Sequence, residues 1–146
     1  MKLPIVFRAV CGIAVLVVFT SCQKKAVEPV AIETTDMCSF CRMSISDKRY
    51  AAELIDEAEG VFKFDDIGCM TNFIKQKRNN VPTAALFVMD FESREWMKAE
   101  DAFYVRSAEL KTPMSHGLAA FKHKSSDETA VAKYNGTLLG FLEITQ

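Results

Sequence analysis

Between positions 37 and 45 the chain reads Met37-Cys38-Ser39-Phe40-Cys41-Arg42-Met43-Ser44-Ile45. Two thiols and two thioethers fall within this short stretch, the densest run of soft donors in the sequence. Thiolate and thioether sulfur favour Cu(I), whereas zinc accepts thiolates but gains little from methionine. Cys-x-x-Cys alone also serves redox pairs and zinc knuckles. A redox pair usually opens a helix whose N-terminus acidifies the leading thiol; here Met43 leads into a strand-like stretch instead. A structural zinc site needs four Cys or His ligands, and Cys69, His116 and His123 fit no finger spacing. Cu(I) is therefore the favoured reading, and a Cys38–Cys41 disulfide or dithiol is its chief competitor. In an extended segment Cys41 and Met43 would point to one side, so that a thiolate and a thioether converge. Core packing is the plain alternative for Met43, and Met37 reads equally as a ligand or an edge hydrophobe.

Two further stretches carry donors. Pro113-Met114-Ser115-His116-Gly117 places a thioether and an imidazole two residues apart, bracketed by Pro and Gly. This loop could bring Met114 and His116 to the ion; a solvated histidine in a surface turn explains His116 equally well. His123, between Lys122 and Lys124, reads as exposed. In Phe64-Asp65-Asp66-Ile67-Gly68-Cys69-Met70 the acids are accounted for as a helix cap. Cys69 and Met70 read as buried filler, since both residue types pack well in cores.

The elements that must position these groups follow from periodicity. Tyr50, Ala52 and Leu54 alternate, and so do Phe62 and Phe64, on either side of the polar turn Glu57-Ala58-Glu59-Gly60, which predicts a hairpin. Ile67, Met70, Phe73 and Ile74 have helical spacing after Asp65-Asp66 and before Lys75-Gln76-Lys77-Arg78, the charge order a helix dipole prefers. The unbroken apolar run 84–89 predicts a strand buried on both faces. The second half repeats the order. Strand-like pieces at 94–97 and 102–105 precede a strand at 117–121. A helix follows, opened by the capping-box pattern Ser125-Ser126-Asp127-Glu128 and closed by Asn135-Gly136, with the glycine in the left-handed position. A last strand runs over 137–144. The expected fold is α+β, two ββαβ units in one small domain.

The N-terminus is not fold. Lys2 and Arg8, an apolar run over 9–19 and then Thr20-Ser21-Cys22 describe an export signal, too short to span a membrane, which takes roughly 20 residues. Phe19-Thr20-Ser21-Cys22 resembles a lipoprotein processing site, with Phe19 where Leu is usual. The reading is a signal over 1–21, a lipidated Cys22, a flexible linker over 22–35 and a domain over 36–146. Three cysteines then remain, a poor number for a disulfide framework. A net charge of −1 over 146 residues argues against a nucleic-acid binder.

Together, Cys38-Ser39-Phe40-Cys41-Arg42-Met43 with Ile45, then Phe64-Asp65-Asp66-Ile67-Gly68-Cys69-Met70, then Pro113-Met114 before Gly117-Leu118-Ala119-Ala120-Phe121, resemble the NosL family over about residues 36–145. These are lipoproteins acting as copper chaperones in the assembly of nitrous oxide reductase. The resemblance implies a fold similar to that of the organomercurial lyase, and Cu(I) held by Cys41, Met43 and Met114, with Cys38 and His116 as further candidates. The family usually has Gly where this chain has Arg42, and Met-Gly where it has Met114-Ser115-His116. The function expected is non-enzymatic: a Cu(I) chaperone anchored in the cell envelope, facing the periplasm, that delivers copper to a nitrous oxide reductase system. A periplasmic thiol–disulfide oxidoreductase using Cys38 and Cys41 is the alternative.

Overall fold

The computed structural model describes residues 26–77 and 81–146. The expected signal, Cys22 and the first residues of the linker lie outside them. Two antiparallel sheets and three α-helices are built from the repeated order strand, strand, helix, strand. In the first unit β1 (Ala52–Asp56), β2 (Val61–Phe64), α1 (Ile67–Lys77) and β3 (Thr83–Met89) follow one another. In the second they are β5 (Phe103–Arg106), β6 (Leu118–Phe121), α2 (Lys124–Lys133) and β7 (Thr137–Leu139). The strand orders are β2-β1-β3-β4, with β4 at Trp96–Lys98, and β6-β5-β7, so each unit places its first strand between its second and its third. The α+β expectation of paired ββαβ units therefore describes the chain.

Several local expectations are corrected. The piece expected at 94–97 belongs to the first unit: β4 (Trp96–Lys98) pairs with β3 through Met89↔Trp96 and Val88↔Met97. The last strand stops at Leu139, and Phe141–Thr145 forms α3, whose Ile144 is buried. Helix α2 starts at Lys124 after His123 with no side-chain cap, so Ser125 and Glu128 lie inside the helix and form no capping box; Asp127 is fully buried. The left-handed residue past α2 is Asn135, at φ 47°, and not Gly136. Gly136 instead leaves room for Val105, whose Cγ1 would lie 2.6 Å from a β-carbon there. Strand β1 is buried on both faces from Ala52 to Ile55, since it is central and paired on each side. Strand β3 is buried only in its second half.

Alternation decides which side chains meet. Ala52, Leu54, Phe64 and Val88 face α1 and share a core with Ile67, Met70, Phe73, Tyr104, Leu118 and Ala120. Val105, Ala119 and Phe121 point the other way, toward Ala130 of α2, as a period of two requires. The sheets touch where Phe91 N–H donates to Ala120 O at 2.8 Å, beside the Asp90↔Ala120 bridge. Helix α1 thus lies in the core shared by both units, and its first turn is the natural place for a site.

The ordered domain begins before position 36. Ile32 is buried with Ile45, Ala51 and Met89. Val30 N–H donates to Glu53 Oε1 at 2.9 Å, and the Lys63 and Lys48 ammonium groups donate to Ala31 O and Ile32 O. These bonds fasten the end of the expected linker across the outer face of the first sheet.

Candidate metal centre

The sulfur loop is a tight hairpin. Met37 and Ser44 form an antiparallel bridge. Cys38 N–H donates to Met43 O at 2.8 Å, and Arg42 N–H to Cys38 O at 3.0 Å. Closing so small a loop puts Arg42 at φ 66°, a left-handed conformation that glycine adopts without cost. Cys41 therefore sits in a turn and not in a strand, so the alternation expected to align Cys41 with Met43 does not operate. Met43 is 55% exposed and Met37 58%.

Ser39 N–H donates to Lys63 O at 2.8 Å, and the Lys63 ammonium meets the Asp36 carboxylate at 2.6 Å, holding that carboxyl below its usual range. The loop is thereby laid along the edge of β2, which ends at Phe64 and hands the chain to Asp65 and α1. Cys38 and Cys41 are brought together with Asp65 and Cys69, their ligand atoms all within 4.8 Å of one another. Cys38 and Cys69 are fully buried, Asp65 nearly so, and Cys41 is partly exposed. All three thiols are free. Cys41 Sγ donates to Asp65 Oδ2 at 3.4 Å and to Oδ1 at 3.5 Å.

The thiols differ in acidity. A hydrogen bond from the Cys69 thiol brings Cys38 down to about 6. Burial pushes Cys41 up to about 11, with the Cys38 and Asp65 charges adding to it. Cys69 is pushed far up by its bond to Cys38 and by burial. The acidity of the enclosed Cys38 is thus raised, while that of the accessible Cys41, whose thiol donates to the Asp65 carboxylate, is lowered. A metal taken up by Cys41 must displace its proton.

Asp66 organises the other half. Its buried carboxylate accepts from Gly68 N–H at 2.7 Å, capping α1, and from Met114 N–H at 3.2 Å. His116 Nδ1 lies 3.1 Å from Asp66 Oδ1, and its Nε2 lies 3.2 Å from Asn72 Nδ2. The His116 ring covers Gly68 so closely that a β-carbon there would collide with it. Both ring nitrogens of His116 are therefore engaged in holding the 113–117 loop on α1. Met114 is partly buried against the same core cluster as Cys38, Cys41 and Cys69. Ser115 stands at φ 57°, so this departure from the Met-Gly pattern, like Arg42, falls on a left-handed residue.

A family model described as NosL matches residues 29–146. The chain belongs to the NosL family. It is 32% identical over 149 residues to the copper-binding lipoprotein NosL of Stutzerimonas stutzeri, a match covering 92% of this chain and 78% of that protein. Its fold is that of the crystal structure of the copper chaperone NosL from Shewanella denitrificans: TM-score 0.74 at 23% identity, over 82% of this chain and 96% of that one. Within this NosL chain, sequence reasoning missed Cys69 and Asp65 as members of the cluster. Each had a sufficient ordinary role, as core filler and helix cap. The available signal was spacing: an acid ending a strand and a cysteine one turn into the next helix reach the same point.

Proposed function

We propose that this chain is a Cu(I) carrier, held in the cell envelope by lipidated Cys22, that faces the periplasm and delivers copper for the maturation of nitrous oxide reductase. The observation that carries the reading is the position of Cys41: a partly exposed sulfur at the rim of a buried sulfur cluster, flanked in sequence by exposed methionines. Cys41 supplies the principal bond, and Met43 and Met114 add uncharged soft donors, so an acceptor's ligand can attack before the last one leaves. Cys38 is a further sulfur of the same cluster. His116, with both nitrogens engaged, serves by holding Met114. The copper-binding and chaperone names of the relatives support the cargo; the recipient follows from the family resemblance.

Thiol–disulfide exchange needs the acidic thiol where a substrate can reach it. Here the more acidic sulfur, Cys38, is enclosed, and the reachable one, Cys41, is shifted toward its thiol form, which favours metal transfer. Titration of the reduced chain with Cu(I) against a chromogenic chelator tests the assignment. Cys41→Ser is expected to lose at least roughly tenfold in affinity, and equal affinity in the two proteins rules Cys41 out.

A further inference from the structure

Resting on the carrier reading, we infer that Cys38, Cys41 and Cys69 form a buried three-sulfur holding site for Cu(I) beneath the exposed methionines, with Cys41 common to the holding and the transfer positions.

Distances come first. A metal–thiolate bond of about 2.3 Å places two donors of one ion at most about 4.6 Å apart. The four ligand atoms here lie within 4.8 Å of one another, so small side-chain rotations close the three sulfurs on an ion. They come from both sides of the gap, Cys38 and Cys41 from the hairpin loop and Cys69 from α1, so the ion would staple loop to helix. The second observation is Asp65. It is 1% exposed, and its carboxylate accepts from the Cys41 thiol, a weak donor. A carboxylate enclosed among sulfurs is costly in a cluster that only fills space, and it suits a cavity that receives a cation. Cys69 as filler accounts for neither the convergence nor the acid.

Loading is ligand substitution without redox change. Cu(I) arrives on a donor's soft ligands and keeps its oxidation state; the Cys41 and Cys69 thiols release their protons to solvent, three Cu–S bonds form to Cys38, Cys41 and Cys69, and the donor's ligands leave as those bonds form. Transfer reverses the inner bonds first. The ion keeps Cys41 while Met43 and Met114 replace Cys38 and Cys69, the Cys69 sulfur taking a proton back; the acceptor's ligands then displace the thioethers and finally Cys41, which is re-protonated as it leaves. Burial explains why two thiols are kept from solvent while one is not.

The experiment uses the full reduced chain carrying Met37→Leu, Met43→Leu and Met114→Leu, so that sulfur counted around copper is cysteine sulfur. This protein is loaded with Cu(I), its copper-edge X-ray absorption is recorded, and its affinity is measured against the chelator. Cys69→Ser and Cys69→Ala are then added in turn, with thermal unfolding of the metal-free proteins as the fold check. The expected results are an all-sulfur shell in the parent, one sulfur fewer in both Cys69 variants, and affinity lower by at least roughly tenfold. A filler role moves stability and not the sulfur count. An unchanged shell and affinity in both Cys69 variants overturns the holding site and leaves the carrier reading standing, whereas wild-type affinity in Cys41→Ser removes the Cys41 assignment itself. Complete loss of Cu(I) from this leucine-substituted parent also overturns the holding site, because its cysteines are then insufficient.

Discussion

In the first unit, strands β1 and β2 are joined by the turn 57–60; in the second, the corresponding β5 and β6 are joined by the long loop 107–117. The short turn closes on itself, with Gly60 and Ala58 N–H groups donating to Asp56 Oδ1. The long loop is pinned at its base, where Ser107 N–H donates to Gly117 O at 2.9 Å and Gly117 N–H to Thr112 Oγ1 at 3.2 Å. Its tip then crosses to the other unit and lands on Asp66. The helices differ in the same sense. Helix α1 is capped by Asp66 and lies in the shared core, whereas α2 has no side-chain cap and covers only the outer face of its own sheet. One architecture has been used twice, once to build a socket and once to bring a loop to it. Extra length in a single hairpin connection is enough to create that division.

Asp66 and Asp90 are the sharpest test of this division. Each is a buried acid that accepts from one nearby and one distant backbone N–H: Asp66 from Gly68 and Met114, Asp90 from Ser93 and Lys122. Leaving buried donors unpaired costs about 1–3 kcal/mol each. Asp66→Ala and Asp90→Ala are both expected to lose about 2–5 kcal/mol in denaturant unfolding. Only Asp66→Ala should also weaken Cu(I), because only Asp66 holds Met114. Equal copper affinity in the two variants would break the proposed assignment of the loop.

A smaller effect is expected from Gly68→Ala. The new methyl displaces the His116 ring, at about 1–3 kcal/mol for overpacking, and lifts the loop without touching a sulfur. Copper release to the chelator should quicken while the sulfur cluster persists in X-ray absorption. Gly60→Ala, in the self-contained turn, should leave release unchanged.

Glu53 gives a pH signature confined to the first sheet. Burial raises its carboxyl above the ordinary 4.5, and its Oε2 has no partner. The folded state then binds this proton more tightly than the unfolded one, so the group's contribution to stability falls as pH rises from 4.5 through the raised value. Glu53→Gln should flatten that decline and raise Tm at neutral pH by a few degrees, with little difference in acid. A parallel decline in both proteins counts against the assignment. The smallest effects belong to Arg42→Gly and Ser115→Gly. A left-handed non-glycine residue costs roughly 1–2 kcal/mol, partly offset by the greater freedom of unfolded glycine, so each variant should gain up to about 1 kcal/mol in chemical unfolding.

The sequence made the repeat order legible because strand and helix periods differ and because turn residues punctuate them. It misassigned β4, since Trp96–Lys98 carries no mark of which sheet it joins; pairing with β3 is a tertiary choice. It overextended β7, because the apolar run 137–144 reads alike as strand or helix, and only Gly140 marks the break. At the site, Cys38 and Cys41 announced themselves by density. Cys69 and Asp65 did not, because a cysteine in a core and an acid before a helix each have a common structural explanation. His116 was visible as a donor, but its engagement by Asp66 and Asn72 depends on the packing of α1.

The arrangement of acidities around Cys38 and Cys41 has a consequence for the empty protein. The sulfur whose acidity is raised is enclosed away from peroxides and small disulfides, and the sulfur within their reach is shifted toward its thiol form. Attack on oxidants requires a thiolate within reach. Sulfenylation and mixed-disulfide formation should therefore proceed more slowly at this pair than at an exposed dithiol.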